Sequence, residues 1–284
     1  MTAAPVFIGG MFKSGTSLLR AMLGQHRNIA SGLETYWFEV DPRAGLGRDG
    51  EPIGPYLARL AAYYGMVVAD LERIATASPD AETFLDRFMA AVARLANKPR
   101  WAEKTPGNIT QSARIAAHWP GAPVLHIVRD PRDIYASLLE AKKWTSAEAF
   151  GSRWCAMFAG CEDGKRAGHL GANYHELRYE ALVRSPEVTM HAVVAHIGEA
   201  WDPAVARFEG RDDEYQIVLE KTGKASTTLA HMREPLSDFR IGLWRNVPAA
   251  ALQDVRTYVH AQGLGARYDR IVADSAAFAP EAAE

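Results

Sequence analysis

Short apolar runs alternate along this chain with amphipathic stretches of helical period. Val6-Phe7-Ile8-Gly9 and Val124-Leu125-His126-Ile127-Val128 are near-continuous apolar runs, the pattern of parallel strands buried on both faces. Ile29–Ser31, Arg100–Glu103 and Tyr174–Arg178 read as three more short strands. Helical patterns fall at Ser17–His26, Tyr56–Tyr64, Val68–Ala77, Asp80–Ala96, Asn108–Trp119, Pro131–Lys143, Ala147–Arg166, Pro186–Ile197 and Pro248–Gln262. Ser78-Pro79 reads as the cap and first-turn proline of the Asp80–Ala96 helix. Asp41–Pro55 is dense in glycine and proline and reads as a surface loop or lid. Lys221–Asn246 is loop-rich, and the alanine-rich end after Ala273 reads as frayed. Strands alternating with helices predict an α/β fold: a doubly wound parallel β-sheet flanked by helices, opened by a phosphate loop. We expect one domain over residues 1–284, with a helical insertion at about 41–98 that covers the site or shapes a substrate pocket.

The chemistry begins where the first strand ends. Gly10-Met-Phe-Lys-Ser-Gly-Thr-Ser17 joins a strand to a helix, the arrangement in which backbone N–H groups and a helix N-terminus hold a phosphate. A nucleoside-triphosphate loop reads G-x-x-x-x-G-K-S/T, its lysine reaching the β- and γ-phosphates. Here Gly10 and Gly15 keep the spacing, but Thr16 stands at the lysine position and the lysine comes earlier, as Lys13. Such a loop grips a terminal phosphate without the group that handles a triphosphate. A second anion feature follows the central strand: Arg129 presents a planar fork at the strand end, and Ser137 lies two turns into the next helix. Pairing of Arg129 with Asp130 or Asp133 is the plainer alternative. Together the two features suit a ligand with two separate phosphates.

Composition narrows the classes. Apolar residues at 48% and charged residues at 23% are ordinary for a globular chain, and a net charge of −2 gives no global attraction to nucleic acid or to an anionic membrane. No stretch approaches the roughly 18 apolar residues of a membrane span. Met1–Gly10 lacks a basic leader, and a cytoplasmic location is the expectation. Cys155 and Cys161, six apart in a helical stretch, fall on different faces, which favours reduced thiols. The nine histidines are scattered, and no His/Cys/Asp cluster suggests a metal, so none is expected.

Lys13-Ser-Gly-Thr-Ser17 and Arg129 through Ser137 together resemble the two phosphate motifs of the sulfotransferases that use 3′-phosphoadenosine 5′-phosphosulfate. Glu103-Lys-Thr-Pro106 and Ser31-Gly-Leu-Glu-Thr35 are similar to segments of the tyrosylprotein type, and Arg178-Tyr-Glu-Ala-Leu182 to the segment whose tyrosine lies near the adenine. Ala225-Ser-Thr, Arg233-Glu-Pro235 and Gly242-Leu-Trp-Arg245 resemble the stretch that closes over the nucleotide. The resemblance implies sulfuryl transfer from that donor to a hydroxyl or amine of a small molecule or peptide, without a metal. It implies donor binding by Lys13, Ser14, Gly15, Thr16, Ser17, Arg129, Ser137, Tyr179 and Thr227, and catalysis by Lys13, Lys104 and Glu34, with Glu39 in reserve as base. Developing negative charge on the leaving phosphate calls for cations at the bridging oxygen, and the acceptor's proton calls for a base. Two departures stand out. Leu18 occupies the place of the cytosolic type's adenine-stacking tryptophan, and the cytosolic 3′-phosphate triplet has no match near Phe239–Gly242, leaving Thr227 or Arg240 to compensate. The rival readings are a P-loop kinase of a small metabolite and a non-catalytic nucleotide-binding protein of the same fold. Glu34 as a loop carboxylate paired with Arg27 or Arg43 is the plain alternative to its role as base.

Overall fold

The computed structural model describes residues 4–211, 213–223 and 227–278. Among them, five strands form one parallel sheet: β1 (Val6–Gly9), β2 (Ile29–Ser31), β3 (Arg100–Lys104), β4 (Val124–Val128) and β5 (Tyr174–Arg178). Their order is β2-β3-β1-β4-β5, with Phe7 level with Glu103 on one side and with Val124 on the other. The chain leaves β1 to one flank for β2 and β3, then crosses to the other for β4 and β5. The crevice beyond the carboxyl end of β1 is therefore the switch point at which such sheets bind ligands.

Period-two alternation sorts the central strands onto two cores. Val6, Ile8, Leu125 and Ile127 join Leu19, Met22 and Leu23 of the first helix, Thr16–Leu23, on one face. Phe7, Val124 and Val128 join Trp37, Phe84, Phe88 and Trp119 on the other. Phe7 is fully buried, with its ring centroid 4.9 Å from Trp119, 5.7 Å from Trp101 and 6.3 Å from Trp37. Between β2 and β3 the chain inserts the helices Ile53–Tyr64, Val68–Ala77 and Ala81–Leu95, whose apolar stripes cover this second face.

Several boundaries differ from the sequence reading, each for a local reason. The Ile53–Tyr64 helix starts inside the Asp41–Pro55 stretch, because Pro55 sits in a first turn that needs no N–H donor. Asp80, not Ser78, caps the Ala81–Leu95 helix by accepting from the Thr83 N–H at 2.7 Å; the Ser78 hydroxyl bonds back to the Ile74 carbonyl. The expected Asn108–Trp119 helix is a 3₁₀ turn, Pro106–Thr110, followed by a helix Ser112–His118. The Pro131 helix stops at Glu140, before Lys142 and Trp144 turn left-handed at φ 53° and 47°. Four helices lacked a strong sequence signal: Tyr179–Arg184, Asp213–Thr222, Thr227–His231, inside the stretch read as loop-rich, and Gly265–Ala276. The second is held by tertiary contact, the Glu214 carboxylate pairing with the buried Arg20. Cys155 and Cys161 are both buried and free. Among the described residues no helix is long and apolar enough to cross a membrane.

Phe7→Ala should lower unfolding free energy by about 3–5 kcal/mol, because the surrounding tryptophans cannot collapse into the vacated volume. Urea unfolding followed by tryptophan fluorescence measures it; a loss under about 1 kcal/mol would contradict this packing.

Candidate active site

The loop leaving β1 is built where side chains do not fit. Gly10 has φ 148°, and a Cβ there would meet the Ile127 carbonyl oxygen at 2.5 Å; Gly15 has φ 102°, and a Cβ would meet the Tyr179 ring at 2.5 Å. Between them Lys13 is itself left-handed, at φ 68°. The Thr16–Leu23 helix then starts with its first N–H groups unused by the helix and its positive end toward the loop. Ser14 is buried, and its hydroxyl oxygen has no hydrogen-bond partner among the described residues.

The Lys13 ammonium donates to Thr228 Oγ1 at 2.9 Å. Burial lowers its pKa to about 8, helped by the nearby Arg240, Lys143 and Arg129 cations, while Glu140 pulls the other way. Arg129, at the end of β4 and 3% exposed, donates to the Lys13 carbonyl at 2.9 Å and to the Arg240 carbonyl. Its guanidinium lies 4.5 Å from the Tyr179 ring centroid and 3.8 Å from Asp133, and its Nε, buried, is unpartnered among the described residues. Asp130, the other partner weighed for Arg129, is taken by Arg132 at 2.6 Å. Asp133 does further work: its two oxygens accept from the backbone N–H groups of Gly242 and Trp244 at 2.9 and 3.0 Å. That tie brings Arg240 over the site, where it donates to Ser137 Oγ at 2.9 Å and to Glu140 at 2.7 Å.

On the other side of the loop, Lys104 donates to Ser17 Oγ at 3.1 Å and to the Glu34 carboxylate. Glu34 also accepts from the Tyr36 hydroxyl, and its side chain keeps 25% exposure. Burial pushes the Glu34 carboxyl up, but the Lys104 ammonium and the hydrogen bonds of Lys104 and Tyr36 outweigh it, so the group stays ionised below its usual range. Glu39 lies one step outward, 3.6 Å from Arg48, with its pKa raised by burial.

One buried carboxylate fixes both halves. Adjacent residues on β3 point to opposite faces, so Glu103 turns away from Lys104 into the tryptophan-rich core. There its oxygens accept from the Thr35 hydroxyl at 2.8 Å, the Thr105 hydroxyl at 2.7 Å and Asn108 Nδ2 at 2.5 Å. Asn108 in turn donates to the Ile8 carbonyl and accepts from Trp37 Nε1, both at 3.0 Å. The network binds the end of β1, the end of β3 and the segment carrying Glu34 into one block.

The structure thus brings together Lys13, Ser14, Gly15, Thr16, Ser17, Glu34, Lys104, Arg129, Ser137 and Tyr179 at the carboxyl ends of the strands. The Thr227 side chain, like residues 224–226, lies outside the described residues; its neighbour Thr228 is the one on Lys13. Arg27, one partner weighed for Glu34, instead bonds Asp202 at 3.0 Å. Sequence reasoning missed Thr228, Tyr36 and the Glu103–Asn108 pair. Asp133 was weighed only as a partner of Arg129, which it approaches to 3.8 Å, and its hold on the Gly242 and Trp244 backbone had no sequence signal. Among the described residues no group of three or more His, Cys, Asp or Glu is placed to hold a metal ion.

The fold and the two-walled phosphate loop define a class. Residues 5–203 match the family model described as "Sulfotransferase family", and the chain belongs to that family. It is 25% identical over 275 residues to Protein-tyrosine sulfotransferase 2 of Gallus gallus, covering 88% of this chain and 66% of that protein. It is 26% identical over 220 residues to Protein-tyrosine sulfotransferase of Drosophila melanogaster, covering 72% of this chain and 40% of that one. The chain therefore spans only part of the length of these relatives. The sulfotransferase domain of the Synechococcus PCC 7002 olefin synthase shares the fold at TM-score 0.64 and 20% identity, over 92% of this chain and 95% of that one. A mouse sulfotransferase complexed with PAP shares it at TM-score 0.51 and 14% identity, over 97% and 89%.

Asn108→Ala would strand a Glu103 oxygen, the Ile8 carbonyl and the Trp37 indole N–H together. A loss of about 2–4 kcal/mol in urea-measured stability is expected. A change within 0.5 kcal/mol would show that the network does not hold the site.

Proposed function

We propose that this chain transfers the sulfuryl group of 3′-phosphoadenosine 5′-phosphosulfate to a hydroxyl or amine acceptor by in-line displacement. The observation that carries the reading is the pairing of two anion cradles, the Lys13–Ser17 loop and the Arg129–Ser137 wall, flanking a carboxylate–lysine pair. Two buried polar atoms, Ser14 Oγ and Arg129 Nε, lack partners among the described residues, and each is a donor suited to a phosphate or sulfate oxygen. Gly10 and Gly15 let the loop backbone pack directly against Ile127 and Tyr179, which side chains there would prevent. The residues fit the donor.

When bound, the donor supplies an activated sulfuryl group on a phosphate leaving group. Lys13, with the helix N-terminus behind it, holds positive charge at the front of the loop, where a leaving phosphate gains charge. Lys104, already on Ser17 and Glu34, provides a second cation between the loop and the base. Glu34 takes the acceptor's proton at its carboxylate, since it is kept ionised and partly open to solvent. Arg129, Ser137 and Arg240 hold the 3′-phosphate, and Tyr179 fixes the loop from below at Gly15. The helices from Ile53 to Leu95 and the Asp41–Pro52 loop shape the acceptor pocket for a small molecule or peptide.

In a thermal-shift assay 3′-phosphoadenosine 5′-phosphate should stabilise the protein and ATP with magnesium should not. Stabilisation by ATP–magnesium alone would favour a kinase and overturn the reading. With donor and acceptor, Lys13→Ala should lower kcat by 10²-fold or more, from loss of charge stabilisation of the order ascribed to such groups. Binding of the bisphosphate without any turnover against a broad acceptor panel would mark a non-catalytic relative.

The sign of the pH effect follows from Lys13. Its folded pKa of about 8 lies below the ordinary 10.5, so the free site loses its proton first as pH rises. An anion binds the ammonium form, so affinity for 3′-phosphoadenosine 5′-phosphate should hold below pH 8. Above it, affinity should fall by up to about tenfold per pH unit. Calorimetric titration from pH 7 to 9.5 measures this, and Lys13→Ala should flatten the slope.

A further inference from the structure

Tyr36 reaches Glu34 through its hydroxyl, and its conformation is costly and specific. Its backbone is left-handed, at φ 52° and ψ 35°, a region that a bulky residue seldom occupies without compensation. The compensation is visible. The Tyr36 N–H donates to the Thr105 hydroxyl at 3.1 Å, and Thr105 is itself tied to Glu103. The Arg48 guanidinium lies over the Tyr36 ring at 3.5 Å from its centroid and reaches on to Glu39 at 3.6 Å. All of this aims one hydroxyl at Glu34.

From this geometry we infer that Tyr36 is a positioning residue for the base: its hydroxyl and the Lys104 ammonium hold the Glu34 carboxylate from two sides and fix its orientation. The inference rests on the reading of Glu34 as the base. The groups that face Glu34 are Lys104 from β3, itself bonded to the Ser17 hydroxyl of the first helix, and Tyr36 and Arg48 from its own connection. Tyr36 faces Glu34, Arg48 and Glu39. Glu103 lies on the far side of Thr35. Of these, Lys104 serves two partners, Ser17 as well as Glu34. An acceptor or donor that draws Lys104 away leaves Tyr36 as the remaining direct donor to the carboxylate. Arg48, stacked on the ring and bridging to Glu39, is the outer brace of the arrangement. The restraint is therefore built to persist through the step in which Lys104 is needed elsewhere.

Tyr36→Phe removes the hydroxyl and keeps the ring under Arg48. The Glu34 carboxyl, observed by NMR in protein labelled with ¹³C-glutamate and assigned by its loss in Glu34→Gln, should titrate about one pH unit higher in this variant. The acid limb of the kcat profile should move by the same amount. At neutral pH kcat should fall about tenfold, with the donor's KM and the affinity for 3′-phosphoadenosine 5′-phosphate unchanged within twofold. Arg48→Met, which keeps the Tyr36 hydroxyl but removes its brace, should move the carboxyl in the same direction by less. A Glu34 midpoint that stays put in Tyr36→Phe overturns the inference. So does a fall in nucleotide affinity equal to the fall in turnover, which marks a merely structural residue. If the carboxyl moves while even the unmodified chain turns over no acceptor, the restraint on Glu34 stands and the sulfotransferase reading fails.

Discussion

The site depends on a property of a single dipeptide, Glu103-Lys104 at the end of β3. Because successive strand residues face opposite ways, one member enters the apolar core and the other enters the crevice. Glu103 is 1% exposed, and its burial is tolerable because hydroxyls and an amide surround it. The partners it recruits, Thr35, Thr105 and Asn108, are the residues that set the path of the Glu34 segment and the end of β1. Lys104, one peptide away, meets Glu34 from the other face. The distance between candidate base and candidate cation is thus fixed through a contact buried in the core.

The cations around the phosphate loop obey a different logic. Arg240, Lys143 and Arg129 stand close enough to Lys13 to lower its pKa further after burial, the largest cause, and Glu140 is the carboxylate that opposes them. Arg129 spends two of its donors on backbone carbonyls, of Lys13 and of Arg240, so it fixes the loop and the C-terminal strap, residues 228–246, at once. Asp133 secures the same strap by its backbone at Gly242 and Trp244. Arg129 is therefore held chiefly by main-chain bonds, with Asp133 at 3.8 Å, while Arg240 pairs with Glu140 at 2.7 Å, so the acids offset only part of the positive charge. Its field remains available to an anion.

The sheet, the phosphate loop and the Arg129–Ser137 wall were legible in the sequence, because each is written in adjacent residues: apolar runs, a glycine spacing, a strand followed by Arg-Asp-Pro. Tertiary contacts were not. Asp213–Thr222 is helical beside Arg20, nearly two hundred residues away in sequence, and no local pattern records that pair. The Asn108–Trp119 pattern was read as one helix because its apolar spacing fits. The Asn108 side chain, committed to Glu103, Ile8 and Trp37, holds the opening turn in 3₁₀ form instead. Tyr36 was invisible for a related reason. A tyrosine in a left-handed conformation has no sequence signature, and only the contacts of its two ends explain it.

The displaced lysine of the loop can now be understood as a consequence of backbone geometry. At position 16 a lysine would open the helix. At position 13 the residue lies in the loop itself, left-handed, with its carbonyl given to Arg129 and its ammonium directed to Thr228 on the C-terminal strap. The same residue thereby ties the loop to Arg129 through its main chain and to Thr228 through its side chain. A triphosphate loop has no need of that connection, because its charges lie in one row. The ligand proposed above, with a 5′-group in the loop and a 3′-phosphate on the wall, would need it, since the two cradles would have to keep their separation while charge shifts at one of them. Lys13 is the residue through which the separation and the charge are set together.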